Sequence, residues 1–144
     1  HIVNTGSVLS FQGGADLVAY GSTKFAVGRV SEALHLQLLA LDTPVRVHLL
    51  CPGGVATHSY LAERNRPSSL SNPMPSPDKS KLFEQARTQT GENMGINMSP
   101  SEVAAKVMEG LRSGDFYIFT HEDSFDAPIR ERMERILKRE DPLP

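Results

Sequence analysis

The sequence predicts an α/β fold in which a parallel sheet is covered by helices on both faces. Strand-like and helix-like segments alternate along the 144 residues, which is the order typical of such sheets. One strand-like segment becomes apolar on both faces at Leu49-Leu50-Cys51, as strands between two helical layers do. The first long helix is apolar on two sides and therefore needs two neighbours. We expect a single domain over residues 1–144.

The first predicted strand lies at the very start of the chain. Ile2 and Val3 lead directly into the small and polar segment Asn4-Thr5-Gly6-Ser7. A complete domain usually has some lead-in before its first strand. We therefore expect a further part of the protein upstream of His1.

A long helix is predicted from about Ala19 to Leu41. Its apolar residues recur three to four positions apart and form one stripe, which consists of Ala26, Val30, Ala33, Leu34, Leu38 and Leu41. A second, thinner stripe consists of Phe25, Leu36 and Leu39. We expect the sheet on one side of this helix and another neighbour on the other. Asp42-Thr43-Pro44 ends the helix, because proline disfavours helical backbone in the residue before it.

The second predicted strand runs from Val45 to Cys51 and ends at Pro52-Gly53-Gly54. Residues 58–98 contain four prolines and several serines and look irregular, apart from a short helix predicted within Asp78 to Thr90. A long segment of this kind in a compact domain is either functional or an ordinary surface loop. We expect a lid over a substrate pocket, with the surface loop as the alternative.

Three more elements complete the predicted order. Ser99-Pro100-Ser101-Glu102 has the features of a helix start, with a serine cap followed by proline and, three residues after the cap, glutamate. This helix is expected to stop at Gly114. A last strand is predicted over Phe116 to Thr120 and a last, strongly charged helix over Ala127 to Arg139.

Composition excludes several classes of protein. The net charge of −2 provides no basic field that would attract nucleic acid or anionic lipid. The apolar runs are far shorter than the roughly 20 residues that span a bilayer, and the start does not resemble a signal peptide. The single cysteine, Cys51, points weakly to a reducing compartment. We expect a cytoplasmic protein that acts on a small molecule.

Tyr20 and Lys24 are the first candidates for chemistry. Their spacing places the hydroxyl and the ammonium on one face of a helix, one turn apart. A tyrosine hydroxyl is a poor acid or base at neutral pH, and a nearby cation stabilises its phenolate form. By itself, however, a tyrosine and a lysine at this spacing usually form an ordinary exposed pair.

Two further motifs give this pair a context. Ser7 follows the first strand, thirteen residues before Tyr20, and Pro52-Gly53-x-Val55-x-Thr57 follows the second strand. The three motifs, Ile-Val-Asn-Thr-Gly-Ser, Tyr-Gly-Ser-Thr-Lys and Cys-Pro-Gly-Gly-Val-Ala-Thr, stand in order and each lies at an element junction. In this respect the chain resembles the C-terminal half of the short-chain dehydrogenase/reductase family.

The resemblance implies a Rossmann-type doubly wound parallel sheet and hydride transfer between NAD or NADP and a secondary alcohol or ketone. It implies that Tyr20 gives or takes the proton on the substrate oxygen, and that Ser7 orients this oxygen. Lys24 would assist Tyr20 and bind the nicotinamide ribose. The residues implied to line the nicotinamide pocket are Pro52, Gly53 and Val55, with Thr57 near the carboxamide.

The sequence also departs from the family pattern. Gly13-Gly14 and Gly53-Gly54 match neither the spacing nor the strand-to-helix context of a dinucleotide fingerprint. The resemblance implies that the first βαβ half, which carries this fingerprint and a catalytic asparagine, is absent from this chain. Two hypotheses therefore stay open, an NAD(P)-dependent oxidoreductase and a non-catalytic fragment or relative that serves binding or oligomerisation.

Partners follow from the same reasoning. Family members commonly pair through the first long helix, so we expect a homodimer or homotetramer in which Phe25, Leu36 and Leu39 meet a partner helix. Apolar residues within 58–98 favour a fairly large, hydrophobic or aromatic substrate. The five histidines include no two at a metal-ligand spacing, so no metal is expected. His58 and His121 are candidates for the mouth of the active site.

Overall fold

The computed structural model describes residues 1–12, 17–57, 65–70 and 98–142. Its strands are β1 (Ile2–Thr5), β2 (Val47–Cys51) and β3 (Tyr117–Phe119), and its helices are α1 (Val18–Ala40), α2 (Pro100–Ser113) and α3 (Glu122–Lys138). A short 3-10 helix, Val8–Ser10, follows β1. The chain divides into two compact units, one of His1–Gly53 with Ser101–Pro144 and one of Gly54–Pro100.

The first unit is built on a three-stranded parallel sheet in the order β1-β2-β3. All five residues of β2 are buried, as expected for the central strand. Its register pairs Val3 with His48 and Leu50 with Ile118. The predicted α/β fold with a parallel sheet is therefore confirmed.

Helix α1 approaches the sheet through small residues. Gly28 and Ser31 are the buried residues of this helix, and they lie on the side between the two apolar stripes. Val30 and Leu41 of the first stripe are exposed, whereas Leu34 and Leu38 are half-buried, so this stripe lies beside the contact with the sheet and not at its centre. Small side chains let the helix backbone approach the strands closely, and the apolar stripes flank this contact.

Helix α2 begins and ends where the sequence predicts. It starts at Pro100, and Gly114 follows its last residue with φ of +81°, a backbone conformation that suits glycine. The N–H of Gly114 donates to the Gly110 carbonyl at 2.9 Å. Close packing against β3 also requires Gly110, because a Cβ there would lie 2.7 Å from the Ile118 side chain.

Two predicted boundaries differ from the structure by two residues or more. Strand β2 begins at Val47 instead of Val45, because its ladder with β1 begins at the Ile2–Val47 pair. Helix α3 begins at Glu122 instead of Ala127. Pro128 lies in the second turn of this helix, where it removes one helical hydrogen bond.

The second unit, Gly54–Pro100, is described in part. Val55 and Met98 form an isolated parallel bridge, in which the Met98 N–H donates to the Gly54 carbonyl at 3.1 Å. A 3-10 helix covers Ser68–Leu70. The short helix predicted within Asp78 to Thr90 lies outside the described residues, as does most of the predicted lid.

A membrane span was sought among the helices of the described ranges. None of them combines the length and the apolar character that crossing a bilayer requires.

Candidate active site

Ser7 lies just beyond the carboxyl end of β1, at the start of the 3-10 helix Val8–Ser10. Its backbone is extended and its side chain caps this helix, with Oγ accepting a hydrogen bond from the Leu9 N–H at 3.2 Å. Only 6% of Ser7 is exposed. The hydroxyl is therefore held in one place by the local structure.

Tyr20 and Lys24 lie in the first two turns of α1. The Lys24 Nζ is 5.5 Å from the centroid of the Tyr20 ring, so the two side chains are neighbours as their spacing predicts. The same ammonium donates a hydrogen bond to the Thr5 carbonyl at 3.0 Å. This bond ties the start of α1 to the last residue of β1, two residues before Ser7. Tyr20 is 45% exposed.

The Pro52-Gly53 turn lies beside the Ser7 segment at the carboxyl edge of the sheet. The N–H of Val8 donates to the Pro52 carbonyl at 3.2 Å, and the N–H of Gly6 donates to the Leu50 carbonyl at 2.8 Å. Parallel strands end at one edge, so residues that follow β1 and β2 meet there. The structure thus brings together Ser7, Lys24 and the Pro52-Gly53 turn, with Tyr20 beside Lys24.

Residues that follow β3 contact this turn. Thr120 Oγ1 accepts a hydrogen bond from the Gly53 N–H at 3.1 Å and lies 2.6 Å from the His121 Nδ1. A Cβ on Gly53 would lie 2.7 Å from that nitrogen and 2.8 Å from the Phe125 ring, so only glycine fits. His121 is buried against the turn. Sequence reasoning missed Thr120, since an isolated threonine after a strand carries no signal of its own.

Val55 and Thr57, the other two candidates for the nicotinamide pocket, belong to the second unit. Val55 is half-buried and forms the bridge to Met98, while Thr57 is exposed. His58 lies outside the described residues.

Cys51 precedes the turn but offers no nucleophile. The thiol is fully buried, and this burial raises its pKa from 9.0 to about 12. Cys51 therefore stays a neutral thiol at physiological pH and packs as a small apolar side chain.

Two histidines that are distant in sequence meet across β1 and β2. The rings of His1 and His48 stack with centroids 5.0 Å apart, and His1 Nδ1 lies 2.8 Å from His48 Nε2. The other nitrogen of His48 lies 2.6 Å from the Asp115 carbonyl oxygen, which a ring N–H can reach as donor. Among the residues that the structure describes, no group of three or more metal-ligating side chains occurs.

Comparisons with known proteins show which proteins the chain is similar to. The family model described as short chain dehydrogenase matches residues 1–67. A CLA biosynthesis dehydrogenase/reductase of Lactiplantibacillus plantarum is 28% identical over 137 residues, which cover 94% of this chain and 47% of that protein. A 1-deoxy-11-beta-hydroxypentalenate dehydrogenase of Streptomyces arenae is 31% identical over 92% of this chain and 38% of its own length.

A solved structure is similar over the whole chain. It is a short-chain dehydrogenase/reductase from Burkholderia phymatum in complex with NAD, with 30% identity and a TM-score of 0.86, and the match covers 100% of this chain and 50% of that one. The chain is therefore similar to short-chain dehydrogenases/reductases both over its first 67 residues and in its fold. It spans about half or less of the length of these relatives.

Proposed function

We propose that the protein is an NAD(P)-dependent oxidoreductase that interconverts a secondary alcohol and a ketone. The observation that carries the proposal is the meeting of Ser7, Lys24 and the Pro52-Gly53 turn at the carboxyl edge of a parallel sheet, with Tyr20 beside Lys24. Ligands of open α/β sheets bind at this edge. The dehydrogenases among the relatives favour an enzyme over the non-catalytic alternative.

The residues present fit a nicotinamide cofactor. Gly53 lets the rings of His121 and Phe125 pack directly against the turn, and Thr120 accepts a hydrogen bond from its N–H, so the backbone of the turn is held in one position at the proposed cofactor site. The Lys24 ammonium has three N–H donors, of which the bond to Thr5 uses one, so it can also hold ribose hydroxyls. When bound, NAD(P) would accept or supply the hydride. The neighbour from Burkholderia phymatum, which holds NAD, supports this choice.

Ser7 would orient the oxygen of the substrate. Its Oγ already accepts a hydrogen bond from the Leu9 N–H, which directs one lone pair toward the backbone. The hydroxyl proton can then be donated to the oxygen of the alcohol or ketone. Because Ser7 is buried and its side chain is fixed as the cap of the 3-10 helix, this donation costs little reorganisation.

Tyr20 would carry the proton. During oxidation its phenolate oxygen accepts the proton of the alcohol, and during reduction its hydroxyl returns a proton to the oxygen of the ketone. The ammonium of Lys24, one helical turn away, stabilises the phenolate that this cycle needs. The partial exposure of Tyr20 leaves its hydroxyl open to a ligand.

The substrate class is proposed to be a hydrophobic or aromatic secondary alcohol or its ketone. The relative from Streptomyces arenae is named for the dehydrogenation of a hydroxypentalenate, which supports a hydroxyl on a carbon skeleton as the reacting group. The apolar residues within 58–98, among them Leu61, Leu70 and Met74, favour an apolar body around that group.

The test uses the full-length protein, titrated with NADH and NADPH while nicotinamide fluorescence is followed. Turnover is then measured with 1-phenylethanol, cyclohexanol and acetophenone. We expect Tyr20→Phe to bind cofactor nearly as well as the native protein and to lose at least ~100-fold in turnover, the scale of lost acid/base catalysis. Tyr117→Phe, which removes the phenol that hydrogen-bonds Glu32, serves as the control and should keep its turnover.

Retention of turnover within a few-fold in Tyr20→Phe would remove this residue from the proton transfer. Failure of the native protein to bind either nucleotide would support the non-catalytic alternative instead.

A further inference from the structure

Ser10 joins two residues of the proposed catalytic set through one buried hydroxyl. Its Oγ accepts a hydrogen bond from the Ser7 N–H at 3.2 Å and donates one to the Lys24 carbonyl at 2.8 Å. Ser10 itself is only 3% exposed. The main chain at Ser7 and the main chain at Lys24 are thereby linked by a single side chain, although they belong to different elements.

Two glycines leave the space that Ser10 occupies. A Cβ on Gly6, which follows β1, would lie 2.9 Å from the Ser10 Oγ, and a Cβ on Gly28 in α1 would lie 3.4 Å from the Ser10 Cβ. The Gly6 distance would require Ser10 or the strand to shift. Gly28 is itself buried, so its lack of a side chain admits Ser10 against α1. The space around Ser10 thus fits a serine closely.

We propose that Ser10 is a positioning residue, which fixes the Ser7 hydroxyl relative to the start of α1 that carries Tyr20 and Lys24. This inference rests on the proposed function. The reacting oxygen has to lie within hydrogen-bond reach of Ser7 and Tyr20 at once, so a small shift between their elements misaligns it. Misplacement of about 1 Å is enough to cost on the order of 100-fold in rate.

Ser31 provides the matched control for a purely structural role. It lies in α1 with no exposed surface, accepts a hydrogen bond from the Asn4 Nδ2 at 2.9 Å and donates to the Val27 carbonyl at 2.7 Å. Ser31 and Ser10 therefore have the same side chain, similar burial and two hydrogen bonds each. Only the bonds of Ser10 end on the main chain of Ser7 and Lys24.

The experiment compares Ser10→Ala and Ser31→Ala in the full-length enzyme. Both variants should lose similar thermal stability, because each leaves buried polar groups without a partner. We expect Ser10→Ala to lower kcat by about ten-fold or more, with the Kd for NADH changed by less than about two-fold. Ser31→Ala should keep kcat within about two-fold of the native enzyme.

Ser10→Cys replaces the hydroxyl with a somewhat larger thiol, which is a weaker donor, and is expected to show an intermediate kcat. It carries the comparison if Ser10→Ala does not yield folded protein. Equal kcat values in the Ser10 and Ser31 variants would overturn the positioning role while leaving the proposed function intact. A native enzyme that shows no turnover would instead contradict the proposed function itself.

Discussion

Tyr117 links the last strand to the first long helix through one hydrogen bond. Its hydroxyl donates to the Glu32 Oε1 at 2.9 Å, which holds β3 against α1. Partial burial of the 46% exposed Tyr117, followed by the hydrogen bond and the charge of Glu32, raises its pKa from 10.0 to about 12. Burial raises the pKa of the Cys51 thiol in β2 from 9.0 to about 12. Both groups therefore prefer their neutral forms in the folded state.

The pH dependence of stability follows from these two raised pKa values. When the pKa of a group is higher in the folded than in the unfolded state, the protonated group favours the folded state. This stabilisation is fully present below the pKa of the unfolded state and is lost as the pH rises through the pKa of the folded state. We expect the free energy of unfolding to fall from about pH 9 to about pH 12. Urea midpoints measured across this range provide the check. Tyr117→Phe should show a shallower fall above about pH 10, and a native midpoint that stays constant up to pH 12 would contradict the expectation.

At the scale of elements, glycines decide how closely helices approach the sheet. Gly110 in α2 faces Ile118, and an added Cβ would meet that side chain at 2.7 Å. Among the residues that the structure describes, and apart from the backbone of the same helix and the two chain neighbours, nothing lies within 4 Å of where a Cβ on Gly21 in α1 would stand. The same substitution therefore has opposite consequences in the two helices.

We expect Gly110→Ala to destabilise the protein by about 1 to 3 kcal/mol, because an overpacked contact has to be relieved by a shift of α2 or β3. Gly21→Ala should stabilise it by roughly 0.5 to 1 kcal/mol, since alanine restricts the unfolded chain and has room in the helix. Chemical denaturation of the two variants measures both values. A stabilising Gly110→Ala would mean that α2 approaches β3 less closely than the structure indicates.

Some features of these elements could be predicted from the sequence and others could not. The alternation of strands and helices, the cap before Pro100 and the stop at Gly114 depend on local chemistry, so they were predictable. The sheet-facing side of α1 was not predictable, because Gly28 and Ser31 are not hydrophobic and contribute through their small size. Ser10 was missed for a related reason. The serine spacing of a capping box, Ser7-x-x-Ser10, was its only local trace, whereas its partner Lys24 is distant in sequence.

At the scale of the whole molecule, α1 leaves an apolar surface exposed. Leu36 is 60% exposed and Leu39 is 52% exposed, while Phe25 is half-buried with the Arg132 guanidinium 4.9 Å from its ring centroid. Phe25 thus has a contact within its own chain. We propose that Leu36 and Leu39 form the centre of a self-complementary interface between two copies.

Leu36→Arg combined with Leu39→Arg should lower the oligomeric state of the full-length protein, because charged groups would face each other across a two-fold axis. Light scattering with size-exclusion chromatography measures the mass. Leu137→Arg on α3, at a residue that is 75% exposed, is the control and should leave the mass unchanged. An unchanged mass in the double variant would place the interface on a different surface.

The compact unit that contains β1, α1 and β2 holds the residues of this chain to which we assign the proposed chemistry. Ser7, Ser10, Tyr20, Lys24 and Gly53 all lie within the single stretch His1–Gly53. The part of the proposed proton transfer that this chain supplies is therefore encoded by one contiguous segment, distinct in sequence from Gly54–Pro100, in which we expect substrate contacts. Replacing Gly54–Pro100 with the corresponding segment of a relative should therefore change the substrate range and retain the acid/base chemistry. Natural selection can change the substrate range in the same way.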